Sequence, residues 1–204
     1  MTGSEKIHIK ENVIEIDANI SYNKIMHAGE KELMKKLADI ATKNGGDILE
    51  IGFGLHLSAD AIQSNPNVTS HTIIEVHPEI YKTAIEWSKD KKNVKIILGD
   101  WIDILPIKNE KFDGVLHDTH LDPNIPKFLD YIKPNCKEGT IVAFFEYLKK
   151  DKRINGYRFS LPEYDWESLP YKDNIDFKNN QYELKYTTFN GIDFYKENVL
   201  SKLL

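Results

Sequence analysis

Two glycines separated by a single residue, Gly52 and Gly54, follow a short apolar run that carries one acid, Glu50. A residue without Cβ lets the backbone approach a ligand, and the helical pattern that resumes at Leu57 offers unpaired N–H groups at its start. This pattern is typical of a nucleotide cradle, although an ordinary tight turn after a buried strand can carry the same glycines. Leu57 stands where a dinucleotide fingerprint requires its third glycine, and a carboxylate at Glu50 would repel a pyrophosphate. The turn therefore favours a positively charged cofactor over a dinucleotide.

S-adenosylmethionine has the matching charge, because its methionine end carries an ammonium group and its sulfur is a cation. We therefore expect this cofactor beside the turn. Its expected contacts there are Glu50, Gly52, Phe53 and Gly54.

Two further positions extend the expected cofactor site. Glu75 closes the next apolar run, 23 residues after Gly52, where an acid can hydrogen-bond ribose hydroxyls, with Val76 beside it. A surface carboxylate opening the next helix is the alternative for Glu75. Asp100 and Trp101 directly follow a third apolar run, so the acid could accept from the adenine amino group and the indole could cover the ring.

A polar run from His117 to His120 follows a fourth buried strand, at the position where parallel sheets bind ligands. Charges at the end of a strand are seldom needed for folding, so Asp118 is the candidate for catalysis. His117 and His120 lack a clear third ligand for a metal, and no metal is expected. We expect the histidines to form hydrogen bonds or shape an acceptor pocket, with His120 among the acceptor-binding residues.

Alternating helical and strand patterns position these residues. Helical spacing over 29–44 and from Pro78 towards residue 89 alternates with short apolar runs, and residues 182–189 and 192–198 flank an Asn190-Gly191 turn. Alternation of this kind predicts an α/β, doubly wound fold with right-handed connections. We expect a mostly parallel, seven-stranded Rossmann-like sheet with a C-terminal antiparallel hairpin. Short apolar pairs within 6–20 indicate extended structure at an edge.

The order of these motifs resembles class I S-adenosylmethionine-dependent methyltransferases. Within that superfamily, the sequence of these motifs is similar to that of guanidinoacetate N-methyltransferase and arginine N-methyltransferase type 2. The similar passages are residues 25–34, 45–54, 73–75, Trp101 and the run F-D-G-V-L-H-D-T at 112–119, which together span about residues 25–145.

The resemblance implies roles for two acids. Asp118 would contact the acceptor nitrogen as well as the cofactor, and Glu30 matches an acid that grips a guanidinium. The alternative for Glu30 is a first-turn helix acid favoured by the helix dipole. Glu146 and Tyr147 end the fifth predicted strand, where members of the family contact the acceptor. Both residues differ from the sequence pattern of the family at these positions. The identity of the acceptor therefore stays open.

Together these residues predict an S-adenosylmethionine-dependent N-methyltransferase that acts on a small cationic acceptor, guanidino or amino. Paired carboxylates match the N–H fork of a guanidinium and can accept the departing proton. One alternative uses the cofactor on another nucleophile or on itself by intramolecular displacement. Others are a cofactor-binding protein without turnover and an NAD-dependent oxidoreductase.

Composition sets the remaining expectations. The 204 residues carry a net charge of -5, contain 41% hydrophobic residues and include one cysteine, Cys136. These values predict one soluble, cytoplasmic domain that binds neither nucleic acid nor membrane. We expect a cap segment at 1–28, a cofactor-binding core at 29–146 and an acceptor-side region with the hairpin at 147–204. The oligomeric state is not predicted.

Overall fold

A computed structural model describes residues 6–17, 24–119, 125–148, 169–170 and 181–188. Its α-helices are α1 (Lys31–Ala41), α2 (Leu57–Gln63), α3 (Pro78–Ser88), α4 (Trp101–Ile104) and α5 (Ile125–Ile132). Its strands are β1 (Ile7–Lys10), β2 (Val13–Ile16), β3 (Lys24–His27), β4 (Gly46–Ile51), β5 (Val68–Glu75), β6 (Val94–Leu98), β7 (Phe112–His117), β8 (Cys136–Leu148), β9 (Leu169–Pro170) and β10 (Gln181–Thr188). Single 3₁₀ turns occupy Ala28–Glu30 and Lys133–Asn135.

Five adjoining strands form a parallel sheet in the order β6-β5-β4-β7-β8. The predicted alternation of strands and helices is therefore confirmed over this part of the chain. Beyond it, β10 pairs antiparallel with β8, and the short β9 pairs with β10. The predicted turn Asn190-Gly191 and the second hairpin arm at 192–198 lie outside the described residues.

Helices cover both faces of the parallel sheet, as the doubly wound pattern predicts. On one face, Leu37 of α1 and Ile62 of α2 pack with Ile48 and Ile73 of the sheet, all fully buried. On the other face, Phe128 of α5 packs with buried strand residues in a second core cluster. No helix within the described ranges is long and apolar enough to cross a lipid bilayer.

The first three strands form a separate antiparallel sheet in the order β1-β2-β3. Its buried residues Ile14 and Met26 join the core cluster on the α1 face. The pattern in 6–20 indicated extended structure, and the described part of that segment is the β1–β2 pair. The pairing of β2 with β3 brings the chain that precedes α1 against the main sheet.

The carboxyl ends of β4, β5 and β7 meet at one edge, because neighbouring parallel strands run in the same direction. The Gly52 N–H donates to the Ile74 carbonyl at 2.9 Å, and the Asp118 N–H donates to the Ile51 carbonyl at 3.0 Å. β4 lies between β5 and β7, where the winding of the sheet reverses direction. Ligands of such sheets bind at this reversal point, which sets the location of the candidate site.

Candidate functional site

The glycine turn after β4 packs against the protein's own chain. Gly52 has a φ of +90° and Gly54 a φ of +51°, a backbone region that glycine adopts readily. A Cβ at Gly52 would stand 2.2 Å from the backbone oxygen of Asp118, and one at Gly54 would stand 2.6 Å from Sδ of Met26. The Leu55 N–H also donates to that sulfur at 3.1 Å. Both glycines are thus required by the folded chain itself, whether or not a ligand also approaches them.

Glu75 supports the same turn from the end of β5. Its Oε2 accepts from the Phe53 N–H at 2.8 Å, and its Oε1 accepts from the His77 N–H at 2.7 Å. Burial raises the pKa of the Glu75 carboxyl, and these backbone hydrogen bonds oppose that rise. Each carboxylate oxygen can accept a second hydrogen bond, so the predicted contact with ribose hydroxyls stays a prediction that the geometry permits.

Phe53 and Val76 differ in what they offer a cofactor. The Phe53 side chain is 1% exposed and packs edge-on against Trp87 at 5.3 Å between ring centroids. Only its backbone therefore faces the turn's surroundings. Val76 follows Glu75 at the sheet edge and is partly exposed.

Asp100 and Trp101 form the start of α4. Asp100 caps the helix, since its Oδ1 accepts from the Ile102 N–H at 3.0 Å. Trp101 is 5% exposed, with edge contacts to Phe128 at 5.3 Å and Tyr131 at 5.6 Å between ring centroids. The structure therefore gives both residues a folding role, and their contact with an adenine ring stays a prediction.

Three acids from separate segments come together at the edge: Glu30 before α1, Glu50 in β4 and Asp118 after β7. Burial and the negative charges of Glu30 and Glu50 raise the pKa of Asp118 to about 8. Burial also raises the pKa of Glu30 to about 6, against the effect of a backbone hydrogen bond. Glu30 therefore loses its proton at a lower pH than Asp118 does. The sequence predicted Glu30 and Asp118 as partners, and the structure brings them within electrostatic range.

Glu30 also has the local role that was the alternative. Its Oε1 accepts from the His27 N–H at 2.9 Å, while the His27 Nδ1 accepts from the Gly29 N–H at 2.9 Å. This reciprocal capping box starts the 3₁₀ turn that leads into α1. The cap fixes one carboxylate oxygen and thereby orients the group towards the acid cluster.

Glu50 carries a carboxyl group and is fully buried. Its Oε2 lies 2.9 Å from Nε2 of His71, which is also fully buried. Its Oε1 has no hydrogen-bond partner within the described residues, and the same holds for the buried Oγ1 of Thr119. A buried oxygen without a donor is costly, so Glu50 fits a ligand that brings a hydrogen-bond donor to it.

The charge of the cluster is also unbalanced. The groups that perturb the pKa of Asp118 and Glu30 include no lysine or arginine among the described residues. Such a cluster disfavours a pyrophosphate and suits an ammonium, sulfonium or guanidinium group. No group of three or more potential metal ligands occurs in the described ranges.

Three predicted acceptor-binding residues are not tested by this geometry. His120 lies outside the described residues, and the structure describes only the backbone of Glu146 and Tyr147, within β8. Sequence reasoning missed His71 and Met26, which contact the acid and the glycine turn. A polar residue inside the apolar run of β5 was the available signal for His71.

A family model described as guanidinoacetate N-methyltransferase matches residues 7–127, more than half of the chain. Among curated relatives, protein arginine N-methyltransferase 2 of Yarrowia lipolytica is 26% identical over 171 residues, covering 76% of this chain and 36% of its own length. The protein of the same name from Cryptococcus neoformans is 30% identical over 181 residues, covering 78% and 46%. The chain thus spans less than half the length of these relatives.

Solved structures share the fold. M. jannaschii TYW2 in complex with AdoMet gives a TM-score of 0.60 at 18% identity, covering 93% of this chain and 87% of that one. Spermidine synthase from Thermotoga maritima gives a TM-score of 0.62 at 14% identity, covering 98% and 73%. The fold, the acid cluster and the family match agree, and the chain belongs to the guanidinoacetate N-methyltransferase family of class I S-adenosylmethionine-dependent methyltransferases.

Proposed function

We propose that the protein transfers a methyl group from S-adenosylmethionine to a nitrogen of a small cationic acceptor that carries a guanidino or amino group. The observation that carries the proposal is the cluster of Glu30, Glu50 and Asp118. Among the described residues, no lysine or arginine perturbs the pKa of Glu30 or Asp118, and Oε1 of Glu50 has no hydrogen-bond donor. Donor and acceptor in such a reaction are both positively charged, as the cluster requires.

Different residues at the sheet edge bind different parts of the cofactor. Glu50 takes the ammonium group of the methionine end, and the turn from Gly52 to Gly54 faces the same end. Glu75 uses its remaining acceptor capacity for the ribose, with Val76 beside it, and Asp100 and Trp101 border the adenine. When bound, S-adenosylmethionine supplies an electrophilic methyl group and leaves as the thioether S-adenosylhomocysteine.

Glu30 and Asp118 hold the acceptor and receive its proton. The acceptor nitrogen forms its new bond to the methyl carbon as the carbon–sulfur bond breaks towards sulfur, and the nitrogen's proton passes to a carboxylate. Asp118 suits this step because its raised pKa, about 8, lies near neutral pH. A bound cation lowers that pKa, so acceptor binding restores the carboxylate form that the proton transfer needs.

The acceptor pocket would be completed by His120, Glu146 and Tyr147. We propose a single domain with a cap at 1–28, a cofactor core at 29–146 and an acceptor-side region at 147–204. In that region, residues 182–198 form the hairpin that completes a seven-stranded sheet. The relatives named protein arginine N-methyltransferase 2 favour a second candidate acceptor, an arginine in a protein.

Mass spectrometry of methyl transfer tests the proposal. The purified chain is incubated with S-adenosylmethionine and separate panels of guanidino compounds, amino compounds and arginine-containing peptides. A methyl-sized gain on a guanidino or amino compound supports the proposal, and a gain on the peptide alone favours the second candidate. Binding of S-adenosylhomocysteine without any methylated product indicates a binding protein, and release of 5′-methylthioadenosine indicates displacement within the cofactor.

Variants connect that activity with the acid cluster. Asp118→Asn should lose most turnover while it still binds S-adenosylhomocysteine. Asp39→Asn is the matched control, since Asp39 is exposed on α1 and forms a surface ion pair with Lys35 at 2.6 Å. Equal methylation by both variants would remove Asp118 from the mechanism.

A further inference from the structure

His71 is a fully buried histidine in the middle of β5, flanked by β4 and β6. In the parallel pairing it lies opposite Ile48, two residues before Glu50 and on the same face of β4. Its Nε2 lies 2.9 Å from Oε2 of Glu50, and its Nδ1 lies 3.3 Å from Nε2 of Gln63 on α2. The three side chains form a chain of contacts from the helix to the acid.

The partners decide which ring nitrogen carries the proton. The Gln63 amide nitrogen can only donate, so Nδ1 of His71 accepts and Nε2–H donates to Glu50. Trp87 packs edge-on against the imidazole, with 6.4 Å between ring centroids and an interplanar angle of 88°. Gln63 of α2 and Trp87 of α3 therefore hold the plane of the ring, while the hydrogen bonds with Gln63 and Glu50 set its tautomer.

This arrangement leaves the two oxygens of Glu50 unequal. His71 satisfies Oε2, while Oε1 is buried without a partner in the described part of the chain. The negative charge of Glu50 contributes to the raised pKa of Asp118, so the Glu50 carboxylate lies within electrostatic range of the acid cluster at the sheet edge.

We propose that His71, itself oriented by Gln63, is a positioning residue that holds the Glu50 carboxylate so that Oε1 receives the amino group of the cofactor's methionine moiety. The inference rests on the proposed function, because it names a residue that prepares the same cofactor site. His71 touches neither cofactor nor acceptor, and it acts only through the orientation of Glu50.

Two ligands separate this role from a general role in folding. S-adenosylhomocysteine carries the amino group, whereas 5′-methylthioadenosine has the same adenosine and sulfur without it. Replacing His71 by leucine removes the donor, so affinity for S-adenosylhomocysteine should fall by about 10- to 100-fold, the range for a charged hydrogen bond. Affinity for 5′-methylthioadenosine should change by less than about twofold.

The conservative variant His71→Gln supplies a side-chain amide that can still donate to Oε2, and it should restore most of the lost affinity. Gln63→Leu removes the contact at Nδ1 and should produce a smaller loss with the same ligand selectivity. Isothermal titration calorimetry measures all four proteins, with circular dichroism as the check of folding. If His71→Leu does not fold, the ligand selectivity of Gln63→Leu decides the matter.

The results distinguish a failure of the proposed function from a failure of the positioning role of His71. Wild-type protein that binds neither ligand overturns the proposed function itself. If wild type binds both ligands, and His71→Leu and Gln63→Leu weaken the binding of both equally or of neither, the cofactor site is intact and the positioning role of His71 is refuted.

Discussion

Replacing Asp118 by asparagine should stabilise the protein at neutral pH, although it removes the proposed catalytic group. The folded state raises the pKa of this carboxyl from 3.8 to about 8, by burial and by the charges of Glu30 and Glu50. Between these two pH values the folded chain keeps a proton that the unfolded chain releases. The folded state therefore has its full stability, as far as Asp118 is concerned, below pH ~4, and it loses stability as pH rises towards 8.

The size of the effect follows from the same shift. Each pKa unit corresponds to about 1.4 kcal/mol, so the penalty at pH 7 is on the order of 4 kcal/mol. This is an upper limit, because Asp118 keeps some exposed surface and water screens its charge. Asparagine has nearly the same shape and never ionises, so it avoids the penalty.

Urea unfolding of wild type and Asp118→Asn at several pH values from 4 to 8 measures the difference. The two free energies of unfolding should be similar near pH 4, and the variant should gain progressively as pH rises. Asp39→Asn, at an exposed ion pair, should differ from wild type by less than about 0.5 kcal/mol throughout. A variant that is less stable at pH 7, or a difference that does not depend on pH, would refute the electrostatic account of the cluster.

Three further predictions concern the same edge of the sheet. Gly52→Ala should lower the free energy of unfolding by at least about 2 kcal/mol, and by more than Gly54→Ala does. The reason is that the new Cβ at position 52 would meet a backbone oxygen at 2.2 Å, whereas the one at position 54 would meet the movable thioether of Met26. Urea unfolding of both variants measures the two losses, and equal losses would contradict the prediction. Glu75→Gln should lower the free energy of unfolding by about 1–3 kcal/mol, because an amide NH₂ replaces one of the oxygens that accept hydrogen bonds from Phe53 and His77. An unchanged melting curve would show that these hydrogen bonds do not stabilise the turn. Sinefungin, which carries an additional amine in place of the methyl-bearing sulfonium, should bind more tightly than S-adenosylhomocysteine. Its advantage should grow from pH 5 to 8, because Glu30 and Asp118 lose their protons at about 6 and about 8. Calorimetry at three pH values tests this, and a ratio of the two affinities that does not change with pH would argue against a cation site.

Local patterns in the sequence located most of the elements that build the site. The apolar runs before Gly52 and at Phe112–His117 correspond to adjacent buried strands, because strands buried on both faces have short, continuous apolar sequences. Polar residues directly after those strands indicated the edge where sheets of this kind bind ligands, and the F-D-G-V-L-H-D-T run indicated the family. These signals depend on a few neighbouring residues, which is why one sequence carries them.

The contacts across the site could be decided only by tertiary structure. The atoms beside the glycines belong to Met26 and Asp118, which are distant in sequence and meet the turn only when β3 and β7 pack beside β4. The donor to Glu50 is His71, a partner that depends on the register between β4 and β5. The sequence by itself indicated candidate residues for the chemistry, because residue types and their spacing are local signals. Tertiary packing decided which atoms of those residues the protein satisfies and which have no partner among the described residues.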